Sequence, residues 1–285
     1  MTDFPISPIS SGVESAQHYD TVVEAWGILL EEDLHYGYFH NGDESLVRAT
    51  DELTNQMLLL AELQPGMRML DVGCGTGKAA CRIAREHSTH VTGISPSVTC
   101  IERAQSLAKA GSLCDLTDFR DGDGTALSFG EDQFDRVWVM ESSHLMKDKS
   151  ALISECARVL RPGGLIVLCD IVVKRKLSLE KVIENRDEFL LLRDVFGRAM
   201  MEPLEFYCDQ FNDQGLEVIS QSDISAATFP TFDCWRQNAQ HNREAVADMI
   251  GERAWEQFFL SCDVLERFWS EEILGYGIIC AKKSA

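Results

Sequence analysis

The sequence predicts a single α/β domain built on a mostly parallel sheet. In the middle of the chain, short apolar runs alternate with stretches of helical periodicity, which is the pattern of βαβ units. One apolar run ends in a glycine-rich loop that leads directly into a helical stretch. The 285 residues contain no long linker, and α/β chains of this length often form one domain with an insertion.

Four apolar runs predict the central strands, at residues 67–72, 90–94, 134–140 and 165–173. The predicted helices of this region are 78–86, a helix capped by Ser95 and Pro96 that runs to about Ala110, and 151–160. The segment RPGG at residues 161–164 ends the last of these helices. The run at 165–173 is apolar enough to predict a strand that is buried on both faces.

The outer segments complete the predicted domain. Residues 1–63 predict an arm rich in Pro and Ser, which we expect to be disordered, and then a cap of two or three helices from residue 16. Residues 64–173 form the predicted core, and residues 174–212, rich in Phe, Leu and Met, predict a helical lid inserted between core strands. The rest of the core is predicted in 213–285, with a strand at 216–220, a long helical region at 236–269 and a last, antiparallel edge strand at 276–282.

Charge and composition disfavour several classes of function. The formal net charge of -20 disfavours nucleic acid and other large polyanions as partners, whereas a small substrate is less constrained. No run of about 18 apolar residues predicts a transmembrane helix, and the N-terminus lacks the pattern of a signal peptide. None of the ten cysteines lies in a CxxC pair or in a cluster with zinc spacing, so we expect reduced thiols in a cytoplasmic protein and no metal site.

The most informative segment is LDVGCGTG at residues 70–77. A dinucleotide-binding loop needs G-x-G-x-x-G, and here the third glycine comes one residue early. A P-loop needs Ser or Thr after Gly-Lys, and Ala79 stands there. The remaining pattern, D-x-G-x-G-x-G, places Asp71 where it would repel a pyrophosphate and suit the ammonium group of S-adenosylmethionine. A purely structural turn is the alternative interpretation.

Five segments in order, namely LDVGCGTG, VTGIS, RDGDGTALSF, FDRVWVMES and RVLRPGG, resemble the motif series of class I S-adenosylmethionine-dependent methyltransferases. The resemblance covers about residues 66–170 and implies a Rossmann-like core with a mostly parallel seven-stranded sheet. LHYGYF at 34–39 and ESSH at 141–144 further resemble the sterol, tocopherol and geranyl-diphosphate C-methyltransferases and bacterial natural-product tailoring enzymes. This narrower resemblance implies an N-terminal helical cap and a helical lid inserted after the fifth strand.

The resemblance also implies a set of cofactor-binding residues at the carboxyl ends of the strands. The backbone of the glycine loop would lie against the methionine part of S-adenosylmethionine. Many relatives have an acid at the end of the second strand, where this chain has Ile94 and Ser95, so the resemblance implies a different ribose contact. Cys100 stands where the sterol-like subgroup often has Gln, so one ribose or carboxylate contact of that subgroup is not implied here. The implied residues are Tyr19, Tyr36, Asp71, Gly73, Cys74, Gly75, Ile94, Ser95, Asp123, Gly124, Thr125 and Glu141.

Two kinds of implied contact have a plain structural alternative. The Asp123 carboxylate would accept a hydrogen bond from the adenine amino group, or it is a turn residue in the segment DGDGT. Tyr19 and Tyr36 would close over the cofactor, or they pack between helices.

His144 and Asp170 are the candidate catalytic residues. His144 follows one predicted strand and Asp170 lies near the carboxyl end of another, where the site residues of α/β sheets collect. His144 could take a proton near neutral pH, and Asp170 could orient it or hold a polar group of the substrate. A loop or capping role is the alternative for each residue.

The predicted lid and C-terminal helices are rich in aromatic residues, which favours a hydrophobic substrate. Methylation of an alkene carbon leaves a carbocation that aromatic faces stabilise and that could also cyclise. The interpretation we put first is therefore C-methylation of an isoprenoid chain by a homo-oligomeric enzyme. O- or N-methylation of a secondary metabolite is the alternative, and the glycine spacing disfavours a nicotinamide oxidoreductase. Core packing is the alternative for the aromatic residues themselves, which are Phe189, Phe196, Phe206, Tyr207, Trp235, Phe258, Phe259 and Trp269.

Overall fold

The computed structural model describes residues 20, 22–31 and 33–284. The strands are β1 (Arg68–Val72), β2 (His90–Ser95), β3 (Thr117–Asp121), β4 (Phe134–Met140), β5 (Leu160–Val173), β6 (Leu216–Asp223) and β7 (Leu274–Lys283). The helices are α1 (22–29), α2 (Leu46–Ala61), α3 (Lys78–His87), α4 (Val98–Ala110), α5 (Lys149–Val159), α6 (Leu179–Glu184), α7 (Arg186–Phe196), α8 (Leu204–Asp213), α9 (Ser225–Thr228), α10 (Thr231–His241), α11 (Arg243–Ile250) and α12 (Glu252–Ser270). A 3₁₀ helix covers Ser143–Leu145.

The seven strands form one sheet in the order β3-β2-β1-β4-β5-β7-β6. The first five are parallel, and β7 pairs antiparallel with both β5 and β6. This confirms the predicted Rossmann-like, mostly parallel sheet. The connections change direction between β1 and β4, and ligands of open α/β sheets bind at such a switch point, beyond the carboxyl ends of the strands.

Two strands differ from the sequence prediction. The prediction that residues 276–282 form an edge strand is wrong, because β7 lies between β5 and β6 and is buried from Leu274 to Ala281. The edge is β6, whose burial alternates and which ends exposed. The prediction also missed β3, where Phe119 is the one buried residue of a polar segment at the opposite edge.

Two helical boundaries also differ. The cap predicted at Ser95 and Pro96 lies at Ser97, whose hydroxyl accepts a hydrogen bond from the Cys100 amide at 3.1 Å, because β2 continues through Ser95. The long helical region predicted at 236–269 consists of three helices, which are separated at Asn242 and Gly251. Gly251 has a φ of 87°, a conformation that interrupts a helix and favours glycine.

The side chains of the sheet alternate between two hydrophobic layers. Leu70 and Val72 face the layer that contains α5 and α8, and Met69 faces the layer that contains α2, α3, α4, α10 and α12. Within the segment predicted as a lid, α7 packs on α12, whereas α8 packs on β6 and β7. We therefore assign α8 to the sheet, and only α6 and α7 remain candidates for the predicted lid. Among the residues described, no helix is both long and apolar enough to cross a membrane.

Candidate active site

Asp71 lies near the carboxyl end of β1, and its side chain is only 2% exposed. Its carboxylate makes no hydrogen bond or ion pair with any residue that the structure describes. Burial raises the pKa of Asp71 to about 7, because nothing nearby compensates for the loss of water around the charge. A buried acid without a partner is rare in a folded protein, and it fits a site for a cationic ligand.

The glycine loop after β1 is held against β2 by its first two amides. The amides of Gly73 and Cys74 both donate to the Ile94 carbonyl, each at 2.9 Å. These two N–H groups are therefore not free to bind a ligand, and Ile94 contributes a carbonyl that braces the loop. In the described residues the N–H groups of Gly75 and Thr76 have no hydrogen-bond partner, so these two amides, just before α3, remain for a ligand.

Gly73 and Gly124 are glycines because neighbouring atoms leave no room for a side chain. A Cβ on Gly73, which has a φ of 84°, would lie 2.3 Å from the Cβ of Ser142. A Cβ on Gly124 would lie 2.7 Å from the side chain of Val72. The loops that follow β3 and β4 therefore pack directly against the end of β1.

The residues predicted near the ribose and adenine have local hydrogen bonds of their own. The hydroxyl of Ser95 accepts from the Ser97 amide at 3.2 Å. One oxygen of the exposed Asp123 carboxylate accepts from both the amide and the hydroxyl of Thr125, at 2.8 and 2.7 Å. Asp123 is therefore a turn residue, as in the alternative to its adenine contact. Its other carboxylate oxygen has no partner among the described residues. Tyr19 lies outside the described residues.

Glu141 follows β4 in a left-handed conformation, with a φ of 47°, which is strained for a residue other than glycine. One of its carboxylate oxygens accepts from the Tyr36 amide at 2.9 Å and from the Tyr276 hydroxyl at 2.5 Å. Burial raises the pKa of Glu141 to about 7 against these two hydrogen bonds. Glu141 thus ties the cap residue Tyr36 and strand β7 to the end of β4.

His144 and Asp170 form a buried pair. His144 Nδ1 lies 2.6 Å from one carboxylate oxygen of Asp170, and the His144 amide donates to the other oxygen at 2.9 Å. Burial alone would lower the pKa of His144, but the charge and hydrogen bond of Asp170 outweigh it and raise that pKa. The same contact lowers the pKa of Asp170 although burial opposes it. His144 Nε2 has no hydrogen-bond partner among the described residues.

Ser143 and Tyr207 extend this pair. The Ser143 hydroxyl lies 2.5 Å from Asp170 Oδ2 and 2.7 Å from the Tyr207 hydroxyl. Sequence reasoning did not assign Ser143 a role, although it lies in the ESSH segment. It placed Tyr207 among substrate-facing aromatic residues, and it did not identify Tyr276. No local pattern relates these tyrosines to residues of β4 and β5.

Four of the eight aromatic residues predicted near the substrate are core residues. The buried ones, which lie in the two hydrophobic layers, are Tyr207, Trp235, Phe258 and Trp269. Core packing, the alternative given for the aromatic residues, therefore describes these four. Phe189 and Phe196, on α7, are partly exposed and pack against the layer that contains α10 and α12. The ring of Tyr36 lies among four aromatic rings whose centroids are 4.8 to 5.8 Å away, which are those of Phe232, Trp235, Trp269 and Tyr276.

The side chains and free amides at the strand ends fit S-adenosylmethionine. The unpartnered carboxylate of Asp71 suits its ammonium group, and the free amides of Gly75 and Thr76 suit its carboxylate. The His144–Asp170 pair comes from the neighbouring strand ends on the other side of Glu141. The switch point therefore offers one cationic-ligand site and one group that can hold a proton.

Comparison with known proteins identifies the family of this chain. Residues 8–273 match the family model described as mycolic acid cyclopropane synthetase. The 27-O-demethylrifamycin SV methyltransferase of Amycolatopsis mediterranei is 34% identical over 272 residues, which cover 95% of this chain and 97% of the relative. The (+)-O-methylkolavelool synthase of Herpetosiphon aurantiacus is 29% identical, with 99% of this chain and 98% of the relative covered.

Two solved structures illustrate the structural likeness. The [4+2]-cyclase SpnF has a TM-score of 0.83 and is 26% identical, and the match covers 97% of this chain and 98% of SpnF. The mycolic acid cyclopropane synthase CmaA1, in complex with S-adenosylhomocysteine, has a TM-score of 0.86 over 97% of this chain and all of the other, 100%. At 18% identity, CmaA1 supports the fold alone.

Proposed function

Because this chain belongs to the mycolic acid cyclopropane synthetase family and is a methyltransferase that uses S-adenosylmethionine, we propose that it methylates a hydroxyl oxygen of a small hydrophobic metabolite. The observation that carries this proposal is the His144–Asp170 pair. Nδ1 of His144 is held by the carboxylate at 2.6 Å, and Nε2 is left without a partner among the described residues.

S-adenosylmethionine, when bound, supplies a methyl group that its sulfonium already activates. The protein has to align the acceptor with this group, exclude water and remove the proton of the acceptor. A hydroxyl is a weak nucleophile, so a base within hydrogen-bond reach accelerates its methylation. We propose that His144 Nε2 takes the hydroxyl proton and that Asp170 stabilises the resulting imidazolium.

The rest of the site supports a role in positioning. Asp71 and the amides of Gly75 and Thr76 would hold the methionine part of the cofactor. Glu141, fixed by Tyr36 and Tyr276, would hold the cap over the strand ends. Partly exposed apolar residues of α7, Phe189 and Phe196 among them, would contact a hydrophobic substrate, which is the function predicted for the lid.

The activities for which two relatives are named favour oxygen as the methylated atom. The two relatives named above are described as an O-methylating enzyme of rifamycin and an O-methylkolavelool synthase. C-methylation of an isoprenoid chain, the interpretation put first from the sequence, rested on eight aromatic residues, of which four are buried in the core. Homo-oligomerisation and a cytoplasmic location stay predictions.

The test is incubation of the purified protein with S-adenosylmethionine and a panel of macrolactone, terpenoid and phenolic alcohols. We expect a product one methyl group heavier, with an O-methyl signal in its NMR spectrum, and loss of this product in His144→Ala. A new C-methyl signal would instead support the isoprenoid alternative. A product of unchanged mass would indicate cyclisation, the type of reaction for which the [4+2]-cyclase SpnF is named.

A further inference from the structure

We infer that Tyr207 and Ser143 are positioning residues that act on His144 through Asp170, as a buried relay of hydrogen bonds. The inference rests on the proposed function, in which His144 is the base. It assigns a role to a residue of α8, a helix that packs on the face of the sheet and not at the strand ends. The relay runs from the Tyr207 hydroxyl to Ser143 Oγ and from there to Asp170 Oδ2.

The direction of each hydrogen bond follows from the chemistry of the groups. An ionised carboxylate only accepts hydrogen bonds, so the Ser143 hydroxyl donates its hydrogen bond to Asp170. Ser143 Oγ can then only accept from Tyr207, and the Tyr207 hydroxyl is the donor. Burial raises the pKa of Tyr207, which keeps this donor protonated. Bonds that point the same way polarise one another, so the relay stabilises the negative charge of Asp170.

The relay completes the hydrogen bonding of Asp170. Oδ1 accepts from His144 Nδ1 and from the Ile171 amide at 2.8 Å, and Oδ2 accepts from the His144 amide and from Ser143. Asp170 is fully buried, so each of these partners replaces water. Without the relay, Oδ2 would keep one partner, and the plane of the carboxylate would be less well fixed against the imidazole.

The position of Tyr207 is fixed by the packing of α8. Its side chain is fully buried in the hydrophobic layer that also contains Phe211 and the residues of α5. A rigid ring can therefore place a hydroxyl 2.7 Å from Ser143 with little loss of freedom. The charged groups that face His144 are Asp170, Glu141 and Lys149, and those that face Tyr207 are Asp170 and Glu202.

The experiment is an NMR titration of the His144 ring in the full-length protein, without substrate, together with the pH profile of kcat. In Tyr207→Phe, the Asp170 carboxylate loses stabilisation of its charge and becomes more basic, so it holds the imidazolium proton more strongly and the pKa of His144 rises. We expect an upward shift of about 0.5 pH unit and, below the pKa of His144, a fall in kcat of about threefold, with KM for S-adenosylmethionine unchanged. The matched control is Tyr38→Phe, which removes a hydroxyl in the N-terminal cap, outside this relay.

The second variant, Ser143→Ala, breaks the relay closer to Asp170, and we expect a larger shift of about 1 pH unit. Adding Tyr207→Phe to Ser143→Ala should then change nothing further, because Tyr207 acts only through Ser143. Additive shifts in the double variant, or a titration in Tyr207→Phe that coincides with the wild type, would overturn the inference. If His144→Ala retains full turnover, the proposed function fails while the titration still tests the relay.

Discussion

Replacement of Asp71 by Asn should stabilise the protein without its cofactor and weaken the binding of that cofactor. Asp71 is buried without a partner, and its pKa rises from an ordinary 3.8 to about 7. For an acid with a raised pKa, ionisation opposes folding. The destabilisation begins as the pH rises above 3.8 and is complete above 7. A difference of about three pH units corresponds to about 4 kcal/mol.

In Asp71→Asn, the asparagine side chain would carry no charge but would leave a buried amide without partners, which costs about 2 kcal/mol. At pH 8 the variant should therefore be more stable than the wild type by about 2 kcal/mol. At pH 5 the wild type bears only about 1.6 kcal/mol of the penalty, so the two proteins should be about equally stable. The two effects together predict a stability difference that grows with pH.

Urea unfolding of the cofactor-free protein at pH 5 and pH 8 measures the first effect, and calorimetry with S-adenosylhomocysteine measures the second. We expect the affinity of Asp71→Asn to fall about 30-fold, the loss of a hydrogen bond to a charged group. Asp115→Asn, at an exposed carboxylate, is the control for a change of charge alone. Equal stability of Asp71→Asn and the wild type at pH 8 would refute the reasoning, since it would mean that the carboxylate has a partner or contacts water.

Three further predictions concern the same strand ends. Binding of S-adenosylhomocysteine to the wild type should weaken about tenfold for each pH unit below 7 until it reaches the roughly 30-fold loss expected for Asp71→Asn, because protonation of Asp71 competes with the ligand, and equal affinity at pH 5 and pH 8 would contradict this. His144→Ala should lower kcat about 100-fold with unchanged cofactor affinity in the same calorimetric assay, and a variant that turns over at the wild-type rate would exclude His144 as the base. Gly73→Ala should lower the free energy of unfolding by about 3 kcal/mol, since its Cβ would lie 2.3 Å from Ser142. Gly66→Ala is its control, with a similar φ of 81° and open space around it, and should lose only about 1 kcal/mol in the same urea titration.

The sequence predicted the features that depend on local order. The glycine loop was identified because an acid, a strand and three glycines follow one another within eight residues, and a mostly parallel sheet was predicted from the alternation of apolar runs and helical stretches. The pairing of His144 with Asp170 could be anticipated because parallel strands bring their carboxyl ends to one edge.

What the sequence did not predict depends on the relative placement of distant segments. β3 escaped detection because an edge strand with Phe119 as its one buried residue has no apolar pattern. β7 has an apolar pattern, but the pattern gives no information about which strands lie beside it. Tyr207 reaches Ser143 only because α8 packs on β6 and β7 in one register, and no spacing in the sequence encodes that contact.

The position of β7 imposes an order on folding during synthesis. In the described sheet β6 pairs only with β7, so it has no partner until the ribosome has added about fifty more residues. Tyr276, on the same strand, also supplies the hydroxyl that fixes Glu141. The nascent chain can therefore form its parallel strands and its glycine loop before the Tyr276 hydroxyl is in place to hold Glu141. Methyl transfer should start only once β7 has inserted between β5 and β6.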